Sequence, residues 1–434
     1  MTLKQENGVL PIIIIGAGVA GLSCARQLQA HHQHVVILEA RERIGGRVHS
    51  KMIEDHVFDL GASWIHGIEG NPIWDIVKKE GIETEIFNYD VSTFLHDGGQ
   101  PFSIQEKDQF LSYILEIEKA LASHQGCSAL DVVFSTIDTL EIKNYALKMK
   151  LQSFFERVAN DPFATDLSTL AANYQHYEGY FSGDEVVFPS GYEQVVHSIA
   201  KNLEIQLNVN VKEIIQAKDH IIVIDAEEQQ FLASKVVVTV PLGVLKAKKI
   251  TFTPELPSAH QHAIDNMGYG SFNKVFFQLD EPLDFIEKNT TSTNSYFFWH
   301  DNYCFNLLNL SKIYKTPTYL MLFGGQQSIF IDRSNDLEVW SFISQHLKVY
   351  TTSLPTIPKQ SVITRWGADI YSYGSFSFPA LHHTEELVHR LNRNIDERIF
   401  LSGEHCSIQY AGTVHGAYLH GKDVANQILQ MVKN

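Results

Sequence analysis

The chain has 434 residues, of which 44% are hydrophobic and 19% are charged. The length suggests two or three domains, and the composition is ordinary for a globular enzyme. Its 50 acidic and 34 basic residues give a net charge of −16, which argues against a nucleic-acid partner and fits a cationic one. Because no apolar run is long enough for a membrane helix, we also expect no membrane partner.

The cysteines and histidines show no metal-ligand spacing, so we predict no bound metal. A large chain with few, scattered cysteines is typical of a reducing compartment, which predicts a cytoplasmic location. The sequence gives no signal for the oligomeric state. The four cysteines are Cys24, Cys127, Cys304 and Cys406.

The first elements predict a β-α-β unit. Residues 12–15 and 35–38 are apolar, β-branched runs typical of buried strands, and residues 22–30 can form the helix between them. The apolar stretch 9–24 could mimic a signal peptide. Glu6 weakens the positive region that such a peptide needs, and cleavage would destroy the glycine pattern within the stretch.

Helical and extended segments alternate along the rest of the chain, which predicts an α/β fold. Residues 105–160 carry apolar side chains at helical spacing, and a last helix begins at about Val414. Further strands are predicted at 183–191, which ends in a turn, and at 211–215, 221–225, 235–240, 271–279 and 398–402.

Gly16, Gly18 and Gly21 form a G-x-G-x-x-G pattern directly between the first strand and its helix. These glycines permit a tight turn, close approach of the backbone to a pyrophosphate, and close packing of helix on strand. Glu39 ends the second strand, where it can accept hydrogen bonds from a ribose diol. The order of these features predicts a Rossmann-like dinucleotide site.

NAD-binding and FAD-binding sites share this fingerprint, so a second loop is needed to distinguish between them. Arg41, Gly46 and Arg47 come just after Glu39. Backbone amides and a guanidinium suit a longer diphosphate ligand, and the alternative is a solvated loop.

Together with these motifs, further sequence blocks along the chain resemble those of the flavin amine oxidase family. This family includes monoamine oxidases, polyamine and spermine oxidases, and lysine-specific histone demethylases. The block LGASWIHG resembles that of spermine and polyamine oxidases most. The matching blocks are LEAR (38–41), GGR (45–47), LGASWIHG (60–67), TVPLGVLK (239–246), RW (365–366), GSFS (374–377), SGEH (402–405) and TVHGA (413–417).

The resemblance implies an α/β amine oxidase fold, in which a Rossmann-like FAD-binding domain is interleaved with an α+β substrate-binding domain. The FAD-binding domain is expected to comprise residues 1–75, 186–270 and 386–434. The substrate-binding domain is expected to comprise residues 76–185 and 271–385.

FAD is the implied cofactor, with Val211 at the adenine and Glu404 at the sugar-alcohol chain. Ser375 stands where monoamine oxidases have the cysteine that bonds the flavin, so we expect non-covalent FAD. The last helix presents small residues on one face, and its N-terminus is expected to face the flavin. The other implied cofactor contacts are Gly61, Ala62, Ser63, Trp64, Trp366, Tyr371, Gly403, Thr413 and Val414.

Lys274 is the predicted catalytic residue. It lies in an apolar strand, where a charge is costly, and the family's matching lysine holds a water against the flavin and supports reoxidation. The alternative is a lysine whose head reaches solvent at a strand edge.

Four residues are candidates for substrate contact. Phe376 matches one ring of the aromatic pair of monoamine oxidases, whereas Thr413 replaces the second ring. His66 is expected to contact substrate or a carboxylate, with a structural role as the alternative. Glu178 roughly matches an acidic stretch that faces substrate in the family and can pair with a distal ammonium, but a solvated loop acid is the default interpretation.

The resemblance implies FAD-dependent oxidation of spermine- or spermidine-like polyamines. Hydride transfer to flavin is followed by imine hydrolysis and peroxide release, so the expected partners are a cationic amine and molecular oxygen. The alternatives are a monoamine or L-amino-acid oxidase, a demethylase-like chromatin enzyme, and an FAD-containing binding protein without turnover.

Overall fold

The structure, a computed structural model, describes residues 10–88, 92–288, 293–352 and 354–433. Its strands in chain order are β1 (Ile12–Ile15), β2 (Val35–Leu38), β3 (Ser50–Ile53), β4 (His56–Asp59), β5 (Trp64–Ile65), β6 (Glu85–Ile86), β7 (Ser92–Phe94), β8 (Val186–Val187), β9 (Ile205–Gln206), β10 (Val211–Gln216), β11 (Ile221–Asp225), β12 (Gln230–Ala233), β13 (Lys235–Val238), β14 (Thr251–Thr253), β15 (Gly268–Gly270), β16 (Phe272–Gln278), β17 (Ser295–His300), β18 (Tyr303–Asn309), β19 (Thr318–Gly324), β20 (Gln360–Ile363), β21 (Phe376–Phe378) and β22 (Ile399–Leu401).

The α-helices follow the same chain order. They are α1 (Val19–Ala30), α2 (Pro72–Glu80), α3 (Ile104–Ser123), α4 (Ala129–Thr139), α5 (Tyr145–Phe163), α6 (Glu193–Ala200), α7 (Leu242–Lys246), α8 (Ser258–Asn266), α9 (Asp284–Lys288), α10 (Ser311–Tyr314), α11 (Gly325–Arg333), α12 (Asp336–Leu347), α13 (Glu385–Leu391) and α14 (Val414–Lys433). None of the helices in the described ranges is long and apolar enough to cross a membrane.

A five-stranded parallel sheet forms the first half of the fold, in the order β22-β13-β1-β2-β9. Successive side chains of a strand point to opposite faces, so β1 contributes to two cores. Ile12 and Ile14 pack toward α1 and α14, whereas Ile13 and Ile15 pack toward the four-stranded sheet β12-β11-β10-β14. Burial on both faces explains why β1 is a continuous apolar run.

A six-stranded sheet, β20-β16-β19-β18-β17-β7, forms the second half. Its pairings are antiparallel except for the parallel pair β17 and β7. One apolar core connects this sheet to α3, α4 and α5, and another connects it to α12. The strands of the two sheets fall in the two sets of residues expected from the sequence, while the domain boundaries themselves stay predictions.

Several predicted elements need correction. Helix α1 begins at Val19 rather than at residue 22, with Gly18 as its N-cap. The helical region 105–160 is three helices, α3 to α5, because Ser128 and Asn144 start new helices as side-chain caps. Strand β12 was not predicted, although it pairs with β11 along its length.

Candidate active site

A cavity of about 940 Å³ lies where the carboxyl ends of β1, β2 and β13 approach β16 of the second sheet and the start of α14. The carboxyl edge of a parallel sheet is where such folds bind ligands. Of the predicted site residues, Gly21 alone does not line the cavity. The lining includes Gly16, Gly18, Glu39, Arg41, Gly46, Arg47, Gly61, Ala62, Ser63, Trp64, His66, Glu178, Val211, Lys274, Trp366, Tyr371, Phe376, Gly403, Glu404, Thr413 and Val414.

The three glycines of the G-x-G-x-x-G motif have different structural roles. Gly16 has φ +108°, a backbone conformation that favours glycine. A Cβ on Gly18 would meet nothing within 4 Å, so the backbone there is open to the cavity. A Cβ on Gly21 would overlap the carbonyl of Gly16, so Gly21 permits the close packing of helix on strand and does not line the cavity.

Glu39 joins the two glycine loops to the end of β2. Its carboxylate accepts the Ala17 amide at 2.7 Å and the Arg41 amide at 2.9 Å. The second loop returns to the first, because Gly45 donates its amide to the Ala17 carbonyl at 2.9 Å. The two loops therefore form one concave backbone surface at the N-terminus of α1, which suits an anionic diphosphate.

Arg41 and Arg47 are both held by carboxylates. Arg41 donates to Asp369 at 2.6 Å and lies 5.0 Å from the centre of the Tyr371 ring. Arg47 donates to Glu404 at 2.7 Å. Neither guanidinium therefore belongs to a merely solvated loop.

Glu404 connects distant parts of the chain at the cavity wall. It accepts from Arg47, from the Ser377 hydroxyl and from the Gly412 amide. Burial alone would raise the pKa of this carboxyl, but the Arg47 charge, the His405 charge and the hydrogen bonds hold it below its usual value. Glu404 is therefore a fixed anion.

Lys274 lies on β16 with its ammonium turned into the cavity wall and 5% of its surface exposed. It donates to the Asp59 carbonyl at 3.2 Å, to the Gly61 carbonyl and to the Ser63 hydroxyl. Burial lowers the pKa of Lys274 to about 8, while the Asp59 charge opposes that shift. The alternative of a head that reaches solvent at a strand edge is wrong.

The substrate half of the cavity has aromatic and polar walls. Phe376 lies 5.6 Å from Phe272, measured between ring centres, and both rings line the cavity. The hydroxyl of Thr413 donates to the Tyr410 carbonyl at 2.8 Å and accepts the Gly416 amide at 2.9 Å. Thr413 therefore also fixes the first turn of α14.

His66 and Glu178 lie at the cavity rim. His66 is half exposed, and its Nδ1 is 3.1 Å from the Glu185 carboxylate. Glu178 exposes its side chain to the cavity space, yet protein surrounds it on most sides, and this burial raises the pKa of its carboxyl to about 7. Within the described ranges, no cationic side chain forms an ion pair with Glu178.

The whole chain has matches among known proteins. The family model described as flavin containing amine oxidoreductase matches residues 19–429. The chain belongs to the flavin-containing amine oxidoreductases. It is 28% identical to probable polyamine oxidase 4 of Arabidopsis thaliana, over 96% of this chain and 87% of the relative. It is also 28% identical to lysine-specific histone demethylase 1 homolog 3 of Oryza sativa subsp. japonica, over 98% of this chain but 54% of that relative.

A solved structure of a putrescine oxidase, a double mutant redesigned in its cofactor binding, has the same fold. The TM-score is 0.77 at 17% identity, covering 99% of this chain and 100% of that one. The predicted amine oxidase fold and the FAD cofactor are thereby confirmed, and the chain is an FAD-dependent amine oxidase.

The cavity of this amine oxidase fits FAD. His405 is 1% exposed, and neither of its ring nitrogens has a hydrogen-bond partner in the described part of the chain. Buried polar atoms of this kind ordinarily have partners, but protein atoms cover both nitrogens, so the imidazole acts on the cavity through the neighbouring Glu404. The open backbone at Gly18 and the fixed Glu404 complete the residues that would hold the cofactor, which accepts the electrons removed from the amine.

Sequence reasoning missed several lining residues. His405 and His415 belong to the SGEH and TVHGA blocks but were not predicted to line the site. The lack of a hydrogen-bond partner for Nε2 of His415 is seen only in the structure. Asn306 and Leu322 line the cavity from β18 and β19, in the middle of the chain, where the family resemblance is poor. No periodicity of these strands would have indicated a substrate wall.

Proposed function

We propose that this enzyme oxidises polyamines of the spermine or spermidine type and uses molecular oxygen as the final acceptor. Glu178 is the observation that carries the proposal. Its carboxylate lines the cavity of an amine oxidase and lacks an ion-pair partner within the described ranges. A polyamine with one nitrogen at the flavin has further ammonium groups, and a partly buried carboxylate suits such a group.

The nitrogen that reacts must be neutral, although alkylamines resemble lysine, with a pKa of about 10. The cavity favours the neutral form in two ways. Phe376 and Trp366 give it apolar walls that disfavour a charge, and the Lys274 ammonium repels a second cation. These residues thus bind, orient and desolvate the amine without a general base. The oxidised product is an imine, which water hydrolyses, and peroxide is released.

The alternatives are less favoured by the described cavity wall. An L-amino-acid oxidase needs a cation for the substrate carboxylate, but Arg41 and Arg47 are paired with acids. Lys212 pairs with Glu228, and Lys249 lies 5.4 Å from the centre of the Tyr373 ring. The ammonium of Lys274 donates to residues 59–63. A monoamine oxidase has no use for a carboxylate at Glu178.

A substrate panel tests the proposal. We expect the turnover efficiency for spermine and spermidine to exceed that for benzylamine, with N-acetylated spermine showing the effect of one lost charge. The net charge of −16 attracts polycations at long range, but salt screens such attraction beyond about 8 Å at physiological ionic strength. If recognition is local, the ranking survives high salt while the efficiencies fall. Benzylamine leading at both salts would replace the proposal with the monoamine alternative.

A further inference from the structure

Asp59, the last residue of β4, is a buried carboxylate beside the Lys274 site. Its side chain accepts the Ser50 hydroxyl and the Tyr192 amide, the latter at 3.0 Å. Its backbone carbonyl accepts the Lys274 ammonium and the Ser63 hydroxyl, both at 3.2 Å. One residue therefore connects the hairpin β3–β4, the start of α6 and the head of Lys274.

The three hydrogen-bond acceptors of Lys274 all belong to residues 59–63. The position of the lysine head is thus determined by the segment, and the segment is anchored by the Asp59 side chain.

We propose that Asp59 is a positioning residue for Lys274: its carboxylate fixes the segment that receives the ammonium and supplies the compensating negative charge. This inference rests on the role in flavin reoxidation that the family resemblance implies for Lys274. A buried cation without a nearby anion is costly, and Asp59 is the charged group that faces Lys274.

The surroundings of Asp59 define the pH window of this pair. Burial raises the pKa of Asp59 to about 6, opposed by the hydrogen bonds from Ser50 and Tyr192 and by the Lys274 charge. Asp59 also faces Glu193 and the phenols of Tyr192 and Tyr314. Because Asp59 ionises above about pH 6 and Lys274 loses its proton above about pH 8, the charged pair exists between those values.

The test is the pH dependence of flavin reoxidation in the holoenzyme, measured by stopped flow. In the unmodified enzyme we expect the rate to fall as the pH rises through about 8. Asp59→Asn keeps an acceptor for Tyr192 but removes the charge, so the midpoint should move down by at least about one pH unit. Asp59→Glu, which restores the charge, should return the midpoint toward the original value. Asp225→Asn removes another buried carboxylate that accepts backbone amides, and should leave the midpoint unchanged.

Lys274→Met separates the positioning role of Asp59 from the role of Lys274 in reoxidation. If Lys274→Met slows reoxidation but Asp59→Asn leaves the pH profile unmoved, Asp59 does not position the lysine. If Lys274→Met reoxidises like the unmodified enzyme, Lys274 has no role in flavin reoxidation.

A second measurement does not require that the Asp59→Asn variant folds. Coupling between two sites is reciprocal, so Lys274→Met should raise the pKa of Asp59, seen by infrared titration as a carboxylic acid band that persists to higher pH. An unchanged titration would overturn the inference.

Discussion

Glu178 shows how a single carboxyl can make substrate affinity depend on pH. Its pKa is raised to about 7 by burial, so the anion accumulates only as the pH rises through that value. We therefore expect KM for spermine to fall between about pH 6 and pH 8. Benzylamine has no second ammonium, so its KM should lack this titration.

Replacing this carboxyl gives a direct test. Glu178→Gln should raise KM for spermine roughly fivefold, since a partly exposed ion pair contributes about 1 kcal/mol. The value of kcat for spermine and the KM for benzylamine should stay close to those of the unmodified enzyme. Glu83→Gln is the matched control, because Glu83 is exposed and does not line the cavity. An equal rise of KM for both amines would remove Glu178 from substrate recognition.

At the same scale, the sequence predicted the identity of key residues better than their partners. Lys274 was predicted from its apolar strand and from resemblance, but its acceptors lie more than 200 residues earlier in the chain. Strand periodicity gives the face on which a side chain lies and says nothing about which loop it meets. The sequence likewise does not show that the ring nitrogens of His405 lack hydrogen-bond partners, because those partners would come from other parts of the chain.

Among the elements, the contact of α1 with α14 determines how the end of the chain joins its beginning. Gly421 faces α1, and a Cβ there would overlap the hydroxyl of Ser23 and the carbonyl of Ala20. Ser23 also donates to the Tyr418 carbonyl at 2.8 Å. The small-residue face predicted for the last helix therefore does pack on another helix.

Gly421→Val should separate α1 from α14. Overpacking of a close contact costs about 1–3 kcal/mol or more, so we expect a lower Tm and weaker retention of FAD. Gln430→Val places the same side chain at an exposed position of α14 and controls for helix propensity. A Gly421→Val protein as stable as that control would show that the two helices tolerate a wider spacing.

Element boundaries were predictable where a cap or a glycine marks them. Strands β1 and β2 match the predicted bounds, because continuous apolar runs flanked by polar or glycine residues leave little choice. Residues 105–160 are helical as predicted, but apolar spacing continues across Ser128 and Asn144 and so does not show where one helix ends and the next begins. Both residues are common N-caps, and they are the sequence signal that divides this region into separate helices.

For the whole molecule, the interleaving of the two halves could not be derived from local patterns. The five-stranded sheet takes neighbours from residues 12–15, 235–238 and 399–401. Sequence separation of this kind leaves no trace in periodicity or composition, so the resemblance alone implied it. The cytoplasmic location stays a prediction.

The state of the cofactor can be tested on the intact protein. Ser375 exchanges hydrogen bonds with the backbone of Phe272, and among the described residues no cysteine lines the cavity. We therefore expect acid precipitation to release the flavin into the supernatant. Flavin that stays with the precipitate would contradict non-covalent binding. A ligand that binds only the folded state stabilises that state. The precipitated protein, once refolded without flavin, should therefore regain its full Tm only when FAD is added.

The order of the strands also has a consequence for synthesis on the ribosome. β1 and β2 emerge early, yet β13 and β22 complete their sheet only after most of the chain has been made. At about 5–20 residues per second, the apolar β-α-β unit waits for tens of seconds without its last neighbours. During that time it is exposed to chaperones and proteases. A chain that stops before α14 lacks the helix that packs on α1 and part of the cavity lining, so we expect it not to retain flavin.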